Sequence, residues 1–396
     1  MAAASTIYLD NHATTRLDPR VLEAMLPWLT DHYGNAGSTT HQMGREAREA
    51  VDAARETFAA AIGATAREIV FTSGATESNN LAILGTASRR GAAKGHVITA
   101  VTEHHAVLDP IEHLAREGFA VTRLPVAAGT GLLDPADVAA ALRPDTFLVS
   151  VMLANNEIGT IQNIPAIAAA VHEHGAVLHV DCAQALGRMQ MDVDALGADL
   201  ASLSAHKFHG PKGVGGLYVR RRERAVRVDP LVFGGGQERG MRSGTLDVPG
   251  IVGMAEAARL AASRLTEEQP RLRDRRDRLW QRLEAGVPGI VLNGPPLAEE
   301  AGSTLMRLPN NLNVHVPDVD GQTLLATLAG AGLAVSSGSA CSSETPRPSH
   351  VLLAIGLTDD EARASLRFGM SRFTTEDEID RAAEVIAAGV ARLRGI

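Results

Sequence analysis

Cysteine is scarce: the 396 residues contain two, Cys182 and Cys341, which form no C-x-x-C pair. Neither a disulfide framework nor a cysteine zinc site is therefore indicated, and each thiol needs its own explanation. No run of 18 apolar residues occurs, and the opening Met1 to Thr6 lacks the basic and apolar regions of a secretory signal. The expectation is a cytoplasmic protein without a membrane span. Positive charge is also short, with 38 Lys plus Arg against 46 Asp plus Glu and a net charge of −8. No global field attracts phosphate backbones, so a nucleic-acid partner is disfavoured. Internal repeats and low-complexity tracts are lacking too.

What remains is the balance of an ordinary globular protein, 45% apolar and 21% charged, long enough for two or three domains or one large body with an appendage. Short apolar runs at Glu68–Thr72, Gly95–Val101, Phe119–Leu124, Thr146–Leu153, Ala176–Asp181 and Leu200–Ser204 read as buried strands. Helix-compatible stretches at Glu77–Arg90, Pro110–Glu117, Pro135–Leu142 and Ile164–His174 are long enough to cross between parallel strands. An α/β class follows, with a mostly parallel sheet that carries its site at the carboxyl ends of the strands. After Tyr218 the character changes to an arginine-rich run at Arg220–Arg224, read as a solvated face, and then a glycine-rich stretch, Gly234 to Gly240. One long charged helix is expected from about Val252 to Glu284. Beyond Gly289 a strand at Asn311–Val316, a helix near Gln322–Leu328 and a last helix at Glu376–Arg394 predict a smaller α+β unit.

Thr72-Ser73-Gly74-Ala75-Thr76-Glu77 reads as a strand end, a glycine turn and a helix start. The first N–H groups of such a helix lack internal partners and its dipole favours negative charge, so a phosphate fits there; a plain helix cap fits as well. Asp181 ends an apolar strand, where an acid can hold a proton on a pyridine-like nitrogen and Gln184 can bond a neighbouring ring oxygen. A simple turn cap is the alternative. Lys207, in Ser204-Ala205-His206-Lys207, stands at the next strand end and can form an imine with an aldehyde cofactor. Lys212 is its rival, in a Gly-Pro-Lys-Gly turn. His172/His174 and His206/His209 lack the spacing and third ligand of a metal site, so none is expected. Cys341 lies among small polar residues in Ser336–Ser343, which suits an accessible thiol, whereas Cys182 at an apolar strand end suits inert burial.

Taken in order, Thr72–Asn79, Glu103-His104, Asn155-Asn156-Glu157, His179–Gln184, Ser204–Gly213, Glu238–Thr245 and Ser336–Cys341 resemble the cysteine desulfurases almost from end to end. These are pyridoxal-phosphate enzymes of the class V aminotransferase group, and the long cysteine loop resembles the iron-sulfur and nitrogen-fixation branch. The resemblance implies an aspartate-aminotransferase-like fold, with a large domain over 16–255 and a small domain from 1–15 and 256–396. It implies conversion of L-cysteine to L-alanine, with sulfur passing to Cys341 as a persulfide and on to an acceptor or scaffold protein. Lys207 would be the Schiff-base lysine, Asp181 the partner of the pyridine nitrogen, Gln184 the ring-hydroxyl contact and His104 the stacked ring and proton carrier. Ala75, Thr76, Ser204 and His206 would hold the phosphate, with Thr245 arriving from a second subunit of a homodimer. Asn155 and Arg367 would meet ring and substrate carboxylate, assisted by Asn35. A selenocysteine lyase, another class V aminotransferase and a non-catalytic sulfur-assembly component are the alternatives.

Overall fold

A computed structural model describes residues 6–297, 306–337 and 347–395. Its centre is a seven-stranded sheet in the spatial order Ile69–Thr72, Gly215–Val219, Leu200–Ser204, Val177–Asp181, Thr146–Met152, His96–Ala100, Ala120–Leu124. Both faces are covered, which is why the central strands are apolar throughout and not alternating. Leu178, Val180, Leu200, Ala201 and Leu203 are fully shielded from solvent. Five neighbouring strands run parallel. Gly215–Val219 alone runs against both its neighbours, Ile69–Thr72 and Leu200–Ser204.

All six expected strands are present, each trimmed by a residue or two at most. So are the four expected crossover helices, now Ala75–Ser88, His105–Arg116, Pro135–Ala141 and Ile164–His174. The helix at Glu376–Arg394 falls where the pattern places it. The long charged helix is instead two, Val248–Ser263 and Leu265–Gly286, meeting at Arg264, which caps both. The first half is apolar, with Ala257, Ala258, Leu260 and Ala261 packed into the larger core. Val248, Ile251 and Met254 pack into that core as well. The second half is the charged one, and it contributes Leu272, Leu279 and Leu283 to a separate core.

That second core surrounds an antiparallel sheet ordered Ser365–Gly369, Asn311–His315, Val291–Leu292. The amino-terminal segment joins it: Ile7–Tyr8 pairs in parallel with Leu333–Ala334, and Asp10 bridges to Gly369. Residues 10–15 then cross back to the large sheet, where Thr15 donates its backbone N–H to His206 O. The chain thus ties the two sheets together along the edge where the large sheet's strands end. Among the described residues, no helix is long and apolar enough to cross a membrane.

Candidate active site

A cavity of about 550 Å³ opens where Ile69–Thr72, Val177–Asp181 and Leu200–Ser204 end. Ala75, Thr76, His104, Asp181, Gln184, Ser204, His206, Lys207 and Arg367 all line it, joined by Lys212 at its rim. Residues spread over nearly three hundred positions meet there because successive parallel strands deliver their last side chains to one edge.

The turn before helix Ala75–Ser88 is shaped by Gly74, at φ 151° and ψ 179°, a region only glycine enters freely. A side chain at Gly215 would stand 2.5 Å from Gly74 Cα, so the two backbones touch and the turn lies flat on the sheet. The first intrahelical bond is Ser78 N to Gly74 O at 3.0 Å. The N–H groups of Ala75 and Thr76 are thereby left facing the cavity, with no side chain capping them. Glu77, also on the cavity lining, is already occupied: its carboxylate accepts from Ser73 N and pairs with Arg242 at 2.8 Å.

Asp181 is buried, with Oδ2 accepting from Asn79 Nδ2 at 2.8 Å and Oδ1 from Ala183 N at 2.9 Å. Both oxygens are oriented, and the acid is aimed into the cavity. Lys207 donates from Nζ to His12 O at 2.6 Å and Ala13 O at 2.9 Å. Burial, then the guanidinium groups of Arg188 and Arg367, push its amine down to about 8. A sizeable share of neutral, nucleophilic amine near pH 8 is the chemical result. Lys212, by contrast, is exposed in the turn after Pro211.

Burial holds His206 down to about 4, and its Nδ1 meets Thr14 Oγ1 at 3.1 Å. His104 caps helix His105–Arg116, its Nδ1 accepting from Ala106 N at 3.0 Å. Burial lowers its pKa as well, so the neutral ring keeps its proton on Nε2. Arg367, 2% exposed, reaches Asp10 at 2.8 Å and Asn156 O at 3.3 Å, and its Nε has no partner among the described residues.

Three of the candidates stand elsewhere. Asn155 is buried behind the wall, its Oδ1 accepting from Glu157 N and Ile158 N, while Asn156 is the residue that lines the cavity. Asn35 is exposed and folds onto its own turn through Gly37 N. Thr245 is exposed too, in a segment that carries Phe233 at 81% exposure, so neither it nor Asn35 reaches this chain's own cavity. Cys341 lies outside the described residues. Cys182 is buried, and burial followed by the adjacent Asp181 raises its thiol well above the ordinary range.

Sequence reasoning passes over His12, Asp10, Asn79 as a single residue, and Arg188. Their roles depend on pairing across more than a hundred positions, as with Asn79 Nδ2 to Asp181 Oδ2 at 2.8 Å or Arg188 NH2 to Asn11 O at 3.1 Å. Asp10 and His12 follow the short apolar strand Ile7–Tyr8, and that placement is the one local sign they give.

Sheet, cavity and polar lining define an aspartate-aminotransferase-like α/β protein. The chain belongs to the class-V aminotransferase family, whose model matches residues 7–382. Within it the similarity is to cysteine desulfurases. The chain is 52% identical over 388 residues to cysteine desulfurase IscS of Anaeromyxobacter dehalogenans (strain 2CP-C), covering 98% of this chain and 93% of that one. It is 48% identical to the protein of the same name from Methylobacillus flagellatus, over 100% of this chain and 94% of that one. Among solved structures, a NifS-like protein superposes with a TM-score of 0.89 at 38% identity, covering 98% of this chain and 100% of that one. SspA in complex with cysteine gives 0.75 at 37% identity, over 93% and 99% of the two chains.

Proposed function

We propose that this chain is a pyridoxal 5'-phosphate-dependent cysteine desulfurase that releases L-alanine from L-cysteine and passes the sulfur, through Cys341, to an acceptor protein. The observation that carries the reading is one cavity holding a buried amine at Lys207, an oriented acid at Asp181 and uncapped helix N–H groups at Ala75 and Thr76. These residues fit the cofactor. The N–H groups with Ser204 and His206 would take its phosphate, Asp181 its ring nitrogen, Gln184 its ring oxygen and Lys207 its aldehyde carbon. Pyridoxal phosphate, when bound, supplies an electron sink for charge released at the substrate's α-carbon.

The chain's own residues do the rest. Arg367 binds the substrate carboxylate, a task its planar fork suits and its unpartnered Nε permits. Lys207 and His104 carry protons, contributing about 10²–10⁴-fold as positioned acid–base groups. Asp181, held by Asn79 and Ala183 N, keeps its negative charge facing the cavity. Cys341 as thiolate attacks the sulfur of cysteine; the carbon–sulfur bond breaks, its electron pair stays on carbon, and a proton completes alanine. The two sulfurs remain joined on the chain as a persulfide until an acceptor takes one.

A homodimer belongs to the same reading. Leu231, Val232 and Phe233 are exposed apolar residues on the segment that bears Thr245, and that segment is the one offered to a second subunit's phosphate site. The test is to load the purified protein with pyridoxal phosphate and follow alanine from L-cysteine. Mass spectrometry of Cys341 should show one added sulfur, and Cys341→Ala should stop sulfur transfer while the yellow colour stays. Undiminished sulfur transfer in that variant would overturn the assignment of Cys341.

A further inference from the structure

We propose that His12 is a positioning residue that, with Arg188, holds the Gln184 amide with its nitrogen end free for the cavity, as the central link in a chain of hydrogen bonds running between two buried arginines. It rests on the reading of the cavity as a pyridoxal-phosphate site and adds to that reading the control of the ring-oxygen contact.

The chain can be followed from one end to the other by asking what each group is able to donate. Arg307 is buried and has no acceptor, so Asn311, 3.0 Å from its NH1, must present Oδ1 to it. Asn311 therefore turns its Nδ2 towards His12 Nε2, 3.2 Å away, and that nitrogen has to accept. The proton of the ring then sits on Nδ1, which donates to Gln184 Oε1 at 3.1 Å. From the opposite side Arg188, likewise buried and without an acceptor, donates to the same Oε1 at 2.8 Å. With its oxygen taken by two donors, Gln184 has only Nε2 left to direct elsewhere. One hydrogen goes to His12 O at 3.0 Å, which leaves the other available to the cavity that Gln184 lines.

Every assignment needs the imidazole to be neutral. Complete burial, with Arg188, Arg367 and Lys207 nearby, drives the His12 pKa well below the ordinary histidine value. Among the described residues the ring's hydrogen-bond partners are two amides, Gln184 and Asn311, and no carboxylate. His12 is also seated tightly, since a side chain at Gly369 would come within 2.7 Å of its Cδ2. Its backbone oxygen takes Lys207 Nζ at 2.6 Å as well, so one residue touches both the amine and the amide that would meet the cofactor's aldehyde carbon and ring oxygen.

A donor held against the ring oxygen favours that oxygen's anionic form. Loosening Gln184 should therefore raise the pH at which the visible band of the cofactor-loaded enzyme titrates. In His12→Leu the midpoint should rise by about half to one pH unit, the scale of one ordinary hydrogen bond. His12→Asn offers an amide N–H near the former Nδ1 and should stay close to the parent midpoint. A His12→Leu midpoint equal to the parent's, or an Asn variant displaced as far as the Leu variant, overturns the proposal. Nitrogen-15 NMR of the parent holoenzyme, with His12 identified by its loss in His12→Asn, gives a second readout should His12→Leu not fold. A proton on Nδ1 alone from pH 6 to 9 is expected; a proton on Nε2 overturns it. A parent protein that shows no visible band with pyridoxal phosphate would sink the cofactor reading, and the ring-nitrogen measurement on that same protein would still decide the hydrogen-bond chain.

Discussion

Two walls face each other across the cavity, and they are held in different ways. On one side Asp181, Ser204 and Lys207 follow directly from strand ends of the large sheet, each placed by the strand that precedes it. On the other side Arg367, His12 and Asp10 come from the smaller sheet and the crossing segment, and they are placed by contacts with residues hundreds of positions away. The first wall is local architecture repeated along a parallel sheet. The second exists only once both sheets have docked. In the function proposed above, chemistry that demands fixed acid and amine groups falls on the first, and recognition of the incoming amino acid falls on the second.

The comparison predicts an order of severity. Lys207→Ala removes the amine itself and should lower alanine formation by more than about 10³-fold, with loss of the visible band. An unchanged spectrum would point to Lys212 as the reacting lysine. Asp181→Asn keeps the shape but not the charge, and a fall of roughly 10²–10³ in kcat is expected from the loss of one preorganised electrostatic partner. On the opposite wall, Arg367→Gln should raise KM for L-cysteine by roughly 10–100-fold, the value of one charged hydrogen-bonding pair, and change kcat less. A change in kcat alone would move Arg367 from recognition to chemistry and erase the distinction between the walls. The mildest effect concerns pH. With the Lys207 amine at about 8, coupling of the cofactor to the apoprotein should be about tenfold slower at pH 7 than on the plateau above pH 9. The sign follows from the neutral amine being the nucleophile: protonation below 8 removes it. Stopped-flow absorbance across pH 6.5–9.5 measures this, and a flat profile would show that the amine is not the group limiting attachment.

The same division explains what the amino-acid sequence discloses. Thr72–Glu77, Asp181–Gln184 and Ser204–Lys207 are legible because each combines an apolar strand with its own turn, a pattern complete within a dozen residues. Gly215–Val219 and Ser365–Gly369 are harder. The first opens with two glycines, and the second has Arg367 at its centre, so neither reads as an apolar strand until its partners are known. Helices Pro19–Leu29 and Gln42–Ala61 also escape, the second because its apolar face is mostly alanine. The family resemblance supplies Arg367 where periodicity does not. It offers no role for His12, whose meaning depends on Arg307 and Arg188 through intermediates that no local spacing reveals. Asn155 and Asn156 show the finer limit: which of two adjacent amides faces the cavity is decided by the turn at Glu157 and Ile158.

The crossing segment also sets a timetable for biosynthesis. Leu9 O receives Gly369 N at 2.6 Å, so one segment is clasped by another made 360 residues later. A nascent chain can stack its parallel strands and seat Thr15 on His206 early, yet Leu9 and Asp10 wait for their partner until Gly369 emerges. The wall that carries Arg367 is thus completed late, and a chain halted before residue 365 would hold Lys207 without the Arg367 guanidinium that lines the same cavity.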